Sequence, residues 1–402
     1  MLPAILQPIN RHDSYLFHLF LPVFGSVRRF EPRPSVGCGG PPVICNEGNV
    51  FRKPKNVVGL DIGSSAVKAV EIKAAGKGYR VVAFGHEPVP VDSIVDGAII
   101  DAGAVADAIR RVFDAKKGFK TKDVCASLSG NAVIVKKITL PVMTPSELDD
   151  SIAWEAEQYI PFDIQDVNLD YQILDPGTGP DSNGSMEVLL VAAKKEKISD
   201  YTSVIAQAGR TPVVVDVDAF ALQNAYEANF GLDPREVVVL MNAGASAVNI
   251  NILQGDQSVF TRDISMGGNA YTEAVQKELN LPFESAEQVK KGIPVDGATF
   301  EEVRPMLHAV TDNVLLEIQK TFDFFKATVS SEQIDRIVLS GGASRVDGFN
   351  DMLLDRFGVP VEDFNPFSAI AWDAKKLSGD PLEVAPTAAV AVGLALRRVG
   401  DR

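Results

Sequence analysis

Residues 57–72 read VVGLDIGSSAVKAVEI and residues 238–253 read VVLMNAGASAVNINIL. Laid over one another at an offset of 181 positions, they are one pattern written twice. Asp61 falls on Asn242, Gly63 on Gly244, Ser65 on Ser246 and Val67 on Val248. Each copy is an apolar β-branched run, a turn of small residues and a second apolar run, which predicts a β-hairpin. The hairpin matters because the phosphate loop G-x-x-x-x-G-K-[ST] runs from a strand into a helix, and the sequence has no such motif.

Working outward, a third strand is expected at Tyr79–Phe84, a helix near Ala102–Phe113, and strands near Val124–Leu128 and Val133–Leu140. Thr144-Pro145-Ser146-Glu147 predicts a capping box with proline in the first helical turn. That helix is expected to run to about Ile160 and stop at Pro161. A loop at Asp175–Gly184, a strand at Met186–Ala193 and a helix at Lys197–Gly209 follow. After the second hairpin come helices near Asn269–Leu279, Ser285–Lys291 and Glu301–Thr328 and a strand at Ile334–Leu339. A Gly-rich turn then leads to a helix from about Gly348, and Pro386 is expected to open a last Ala-rich helix ending at Arg398. Strands then helices, in two rounds, give an α/β chain of two duplicated lobes, each with its own insert.

Two small-residue turns facing each other across a cleft aim backbone N–H groups at one polyphosphate from both sides. Glycine at positions 63 and 244 keeps a Cβ out of that approach. Asp61, at a strand end just before the first turn, suits a carboxylate that holds hydrated Mg²⁺ through water. Ser64 and Ser65 add hydroxyls, Ser246 stands on the opposite turn, and Lys68 brings a cation for a phosphate. Read alone, this hairpin is equally a surface turn with a solvated Lys68. The order of elements decides, because Leu339–Gly348 (LSGGASRVDG) follows both hairpins as strand, double-glycine turn and helix. Gly341 and Gly342 let a flat base or ribose lie against bare backbone near a helix start, with Ser344 and Arg345 completing the candidate set.

At 402 residues the chain exceeds one ordinary core, and 46% apolar with 23% charged residues is a globular composition. A net charge of −14 argues against a general nucleic-acid or anionic-membrane binder. Three cysteines, Cys38, Cys45 and Cys125, form no C-x-x-C pair, so a reducing compartment is expected and a structural zinc site is not. Residues 1–49 do not conform. The first fifty residues carry seven of the 24 prolines and four Arg against Asp13, Glu31 and Glu47. Tyr15–Phe24 (YLFHLFLPVF), broken by His18 and Pro22, is too short to span a bilayer. The stretch reads as a disordered tail or a misread gene start, with Val50 as the natural beginning. His12 and His18 lie in that tail, and His86 and His308 match no motif.

The three elements resemble the phosphate-1, phosphate-2 and adenosine motifs of the actin, Hsp70 and sugar kinase superfamily of ATPases. Asp218–Tyr226 (DAFALQNAY) is similar to the first connecting helix, whose leading acid helps position the hydrolytic water, and Ala385–Ala395 to the second. Ser285–Lys291 resembles the A-E-x-x-K helix, which implies that Glu287 and Lys290 hold the ribose. The same two residues read otherwise as a charged, solvated helix face. Within the superfamily, Val57–Lys73, Trp154–Val167, Pro212–Tyr226 and Ile337–Gly348 resemble the FtsA-like PilM family of type IV pilus assembly proteins, over about Val50 to Arg402.

That resemblance implies a first lobe at 50–139, an FtsA-like inserted subdomain at 140–210 and the first connecting helix at 211–235. The second lobe follows with its hairpin at 236–265, a helical subdomain at 266–331, the adenosine region at 332–380 and the second connecting helix at 381–402. It further implies bound ATP and Mg²⁺, with Asp61 and Asp218 in catalysis, and a partner, the cytoplasmic N-terminal segment of the membrane protein PilN. Other inner-membrane pilus components are implied too, self-association is compatible with it, and neither nucleic-acid binding nor direct membrane insertion is expected. The location implied is cytoplasmic, peripheral on the inner membrane through partners. In the inserted subdomain, Leu148, Ile152, Ala156 and Tyr159 share a helical face and are expected to be core. Trp154 lies off that face and, with Tyr159, Ile160 and Pro161, either lines a partner groove or packs against the neighbouring lobe.

One departure bears on enzymology: Asn242 stands where many superfamily ATPases carry a second aspartate, so Mg²⁺ would be held less firmly. The expectation is therefore an ATP-binding scaffold with nucleotide-dependent lobe closure and at most slow hydrolysis. The alternatives are a sugar-kinase-like phosphotransferase, which needs an acidic base and a polar acceptor pocket, and an FtsA-like cell-division protein. The latter calls for a C-terminal amphipathic helix, whereas the chain ends at Leu396–Arg402 directly after the second connecting helix.

Overall fold

The computed structural model describes residues 56–398, apart from Lys77 and residues 115–117, 179–183, 330–332, 374–376 and 378–379. The expectations for residues 1–49, the Val50 start, Cys38, Cys45, His12, His18 and residues 399–402 lie outside the described residues. The first lobe contains β1 (Val58–Ile62), β2 (Ala66–Ala75), β3 (Gly78–Pro88), a small hairpin of β4 (Ile94–Val95) and β5 (Ala98–Ile99), α1 (Ala102–Asp114) and β6 (Asp123–Leu128). An insert follows with β7 (Val133–Pro141), α2 (Pro145–Ala156), β8 (Val167–Asp175), β9 (Ser185–Lys194) and α3 (Lys195–Gln207). The chain returns through β10 (Thr211–Val217) and α4 (Asp218–Phe230). The second lobe is β11 (Val237–Ala243), β12 (Val248–Gln254), β13 (Gln257–Ile264), α5 (Gly268–Leu279), α6 (Phe283–Lys290), α7 (Phe300–Thr328), β14 (Arg336–Ser340), α8 (Phe349–Phe357) and β15 (Val361–Asp363). Then β16 (Ile370–Ala371) pairs with β3 of the first lobe, and α9 (Pro381–Ala395) ends the described chain's helices.

Both lobes share one topology. The first sheet runs β10-β6-β1-β2-β3-β16 and the second β13-β12-β11-β14-β15. In each, three antiparallel strands starting from the repeated hairpin are extended by two parallel ones. Parallel strands need both faces covered, which is why β1 and β11 are apolar runs whose Val58, Leu60, Val239 and Leu240 are fully buried. The insert is a separate three-stranded sheet, β7-β9-β8, with its own core around Leu148, Ile152, Met186 and Leu190.

The helices α4 and α9 cross between the two main sheets, and their shared core takes in Val70 and Ile72 from one lobe and Val238 and Leu240 from the other. Small residues set their separation. A Cβ on Gly393 would lie 1.7 Å from the Ala221 carbonyl oxygen, and one on Gly59 would lie 2.1 Å from that of Ala391. The Ala-rich run was legible as a helix, but Pro386 does not open it. The helix starts five residues earlier, where Asp380 caps Leu382 N–H, and Pro386 sits inside it. The donor that Pro386 lacks would have served the carbonyl of Leu382. Arg345 Nη2 lies 3.3 Å from that oxygen and also donates to the Glu383 carbonyl, so the freed acceptor is supplied from outside the helix.

Two further differences concern the insert and the edges. The capping box at Thr144 and Glu147 is formed, with Thr144 N–H donating to Glu147 Oε2 at 2.8 Å. The helix it opens ends at Ala156, not Ile160, and the chain beyond it tightens, with Tyr159 N–H donating to the Ala156 carbonyl only three residues back. Ile160 also precedes a proline, which disfavours the helical region. Seven strands are not expected from the sequence: the short β4, β5, β15 and β16, and the longer β8, β10 and β13. Among the described residues, no helix is long and apolar enough to cross a membrane.

Candidate nucleotide cleft and the cavity behind it

The turns between β1 and β2 and between β11 and β12 meet across the cleft, where Ser64 Oγ donates to Ser246 Oγ at 3.1 Å. Strand register then lines up one row of side chains in each lobe. In the first, Asp61 is opposite Lys68 and Lys68 is opposite His86. In the second, Asn242 is opposite Asn249, Asn249 is opposite Asp263, and Ser340 of β14 extends the row on the other side. The repeat thus carries an ion pair onto an amide pair. Lys68 Nζ lies 3.0 Å from Asp61 Oδ2, and Asn242 Nδ2 donates to Asn249 Oδ1 at 3.1 Å.

Burial and then Lys68 push His86 below its ordinary value, so its imidazole faces Lys68 uncharged at neutral pH. The second lobe's charge comes one strand later. Asp263 accepts from Asn249 Nδ2 at 2.8 Å and from the Gly130 N–H of the first lobe. Sequence reading missed Asp263 because the third strand of that lobe was not assigned.

Asp218 is the first residue of α4, half-buried between the rows, and Ser127 Oγ donates to it. Desolvation, then Asp61, with a smaller push from Asp263, raises its pKa to about 6 against the opposing hydroxyls of Ser127 and Ser129. Asp263 is open to the cleft yet walled by both lobes, and that surround raises its carboxyl too, against its bonds from Asn249 and Gly130. Three carboxylates around one cleft leave a negative potential that a hydrated cation relieves. Among the described residues no three acidic, imidazole or thiolate groups are placed to grip a metal directly. A magnesium ion would rest on Asp61 and water, and this donor set fits such an ion.

The strand–turn after β14 is built on backbone. Gly341 sits at φ 93°, and a Cβ there would come 2.1 Å from the Ala243 carbonyl oxygen, so the turn lies flush on β11. Its N–H donates to the Pro386 carbonyl at 2.6 Å. Gly342 begins a short 3₁₀ turn to Arg345, and the Ser344 hydroxyl donates back to Gly341 at 2.8 Å. Ser344 and Arg345 are therefore engaged within the protein, the latter on α9. Gly63 and Gly244 line their turns tightly: a Cβ would meet Lys68 Nζ at 2.9 Å and the Ala247 carbonyl oxygen at 3.0 Å respectively. Ser65 is exposed at the first turn, where its carbonyl accepts from Val89 N–H.

Glu287 and Lys290 form an ion pair on α6, and the pair is tied to α5. Lys290 Nζ donates to the Gly268 carbonyl at 3.0 Å and to Thr272 Oγ1 at 2.8 Å. Burial pulls Lys290 below its ordinary pKa against Glu287; burial also pushes Glu287 up, but Lys290, Lys291 and Thr272 overcome it and hold that carboxyl below.

Behind the cleft lies a cavity of about 470 Å³ between the insert, the first lobe and β13. Val133 and Val135 of β7, Pro161, Phe162, Lys194 and Arg262 are among its walls. Lys194 Nζ sits 4.1 Å over the Phe162 ring. The four residues expected to line one groove are not brought together there. Only Pro161 lines the cavity. Ile160 is buried in the insert's core, Tyr159 is half-buried under Lys136, and Trp154 is 65% exposed on α2. The helical count placed Trp154 off the buried face, but it is exposed and not a wall of this cavity. Phe162, directly after Pro161, is an aromatic wall of the cavity.

The family model described as "Type IV pilus assembly protein PilM" matches residues 59–399. The fold is similar to that of a solved "PilM-PilN type IV pilus biogenesis complex", with TM-score 0.76 and 31% identity over 86% of this chain and 98% of that one. The chain is also similar to the cell division protein FtsA of Enterococcus hirae, 23% identical over 77% of this chain and 78% of that protein. It is similar to FtsA of Bacillus subtilis, 23% identical over 58% of this chain and 57% of that protein's length.

Proposed function

The chain belongs to the PilM family of type IV pilus assembly proteins, a two-lobe actin-like fold, and from that premise we propose that it is an ATP-binding scaffold whose partner is a PilN-type cytoplasmic segment. The observation that supports this most is the meeting of the two hairpin turns at Ser64 and Ser246 beside the Asp61–Lys68 pair. A polyphosphate entering there competes with Asp61 for Lys68. That exchange would leave the Asp61 carboxylate to hold hydrated Mg²⁺ while Lys68 would neutralise phosphate. The ribose and base would lie over the Gly341–Gly342 turn, against α6 with Glu287 and Lys290. The partner segment is assigned to the cavity lined by Pro161 and Phe162, whose apolar walls and two cations suit an extended segment with apolar side chains. The peripheral place on the inner membrane follows from such a partner.

Asp61→Ala and Lys68→Ala are each expected to weaken Mg-ATP binding by about tenfold or more, the loss of one charge-assisted contact. Isothermal titration with Mg-ATP is the measurement. Wild-type affinity in both variants would remove the nucleotide assignment.

Asp218, poised about 6, is mostly ionised at pH 7 and so is able to orient a water and accept its proton. Slow hydrolysis should decline as pH falls through 6. The same shift has a stability sign. A carboxyl whose folded pKa is raised binds its proton more tightly when folded, so its favourable contribution is full below the unfolded value and is lost as pH rises from about 4 to about 6. Asp218→Asn should therefore raise stability at pH 7.5 by about 1–2 kcal/mol, flatten the dependence between pH 4 and 6 and lower hydrolysis. Thermal melts across that range check it, and a variant less stable at pH 7.5 would contradict the assigned environment.

A further inference from the structure

The cavity and the cleft share a wall. Ser129, Gly130, Val217, Ala219 and Asp263 all line the cavity. Val217 and Ala219 flank Asp218 in sequence, and the Ser129 hydroxyl hydrogen-bonds Asp218 itself. Gly130, the next residue, donates its N–H across the lobes to Asp263. From Asp263 the second lobe's row runs inward through Asn249, 6% exposed, to Asn242 just before the second phosphate turn. Ser340, which donates to the Met241 carbonyl at 3.1 Å, closes the row beside the double-glycine turn. Buried amides are kept only where each is satisfied, so this row has little freedom to shift at one end alone.

We propose that Asp263 is the positioning residue through which occupancy of the partner cavity is felt at the nucleotide hairpins. This rests on the nucleotide and partner readings given above. Its carboxylate has one oxygen on the first lobe and the other on the row, so its position depends on how closely the lobes approach at Gly130. A segment entering the cavity meets Arg262 and Asp263 on β13 and the Ser129–Gly130 turn opposite, and displaces or tightens that link. A nucleotide drawing the turns at Ser64 and Ser246 onto its phosphates acts on the same link from the other end. Two ligands that bias one two-position element are coupled, and the coupling is reciprocal.

The test uses the full chain, Mg-ATP and a synthetic peptide of the N-terminal segment of the PilN-type protein from the same organism. Isothermal titration gives the peptide Kd with and without saturating Mg-ATP, and the ratio is the readout. The wild type is expected to show a ratio of about fivefold or more in either direction. In Asp263→Ala, and independently in Asn249→Ala in the middle of the row, the ratio should fall to within about twofold of unity, whatever each single affinity becomes. A simple structural role for the row would lower the melting temperature without changing the ratio. If Asp263→Ala does not fold, Asn249→Ala decides the matter. A wild-type ratio retained in a folded variant, or no coupling in a wild type that binds both ligands, overturns this proposal alone. A wild type that binds neither ligand overturns the proposed function and this inference with it.

Discussion

Alanine in place of Gly393 is expected to drive the two connecting helices apart and to cost about 3 kcal/mol or more, the upper range for overpacking a tight core. The added Cβ would stand 1.7 Å from the Ala221 carbonyl oxygen and 2.5 Å from its carbon. Both obstacles are helix backbone, which has no rotamer to turn aside. Relief requires α4 and α9 to separate, and that separation opens the one core shared by both sheets, around Leu222, Ala388 and Val392. Against a typical total of about 5–15 kcal/mol the loss is large, and the same step disturbs the angle between the lobes. Gly76→Ala is the control. It has φ +63° and nothing within 4 Å of its Cβ, so only the left-handed backbone penalises it, by about 1–2 kcal/mol. Denaturant melts of the two variants separate packing from backbone strain. Equal losses would mean that the helix crossing is looser than these distances.

The duplication was readable because a hairpin leaves a short, dense signature, with two apolar runs around small residues. The signature ends where the two lobes stop being equivalent. Between the Lys68 and Asn249 positions the offset is 181, and between the strand partners His86 and Asp263 it has shortened to 177. A fixed offset therefore finds the Asp61, Asn242 and Gly244 positions and walks past Asp263. Residue type does not tell which partners a side chain meets within the folded chain. Ser344 and Arg345 sit in the expected turn, yet one closes its own turn and the other serves carbonyls of α9. The 100° step places Trp154 off the buried face, and it is exposed; which residues wall the cavity depends on the path after Ala156, where the helix ends four residues before Ile160. Pro386 misled for a physical reason. A proline inside a helix is disfavoured unless the orphaned carbonyl finds another donor, and here the donor comes from 37 residues upstream in the sequence.

Arg397→Ala should be the most damaging removal of a charge among the described residues. Arg397 Nε donates to Asp216 Oδ2 at 2.6 Å, and both side chains are 2% exposed. The pair ties the segment just after α9 to β10, two residues before Asp218, so it fixes the start of α4 and the approach to the candidate catalytic acid. Removing one partner strands the other charge in a medium that cannot hydrate it, at about 3–5 kcal/mol. The remaining link from Val217 N–H to Asp216 Oδ1, 2.8 Å, is one neutral donor against a full charge. Attraction within the pair only offsets the desolvation of its members, so deleting both charges should hurt far less than deleting one. Arg397→Met combined with Asp216→Leu, which fills the volume with apolar groups, is expected to recover most of the loss, to within about 1–2 kcal/mol of wild type. Chemical denaturation of the single and double variants measures this directly. A double variant as unstable as Arg397→Ala would show that the pair is held for its shape and hydrogen bonds between α9 and β10, and that the buried charge is not what destabilises the single variant.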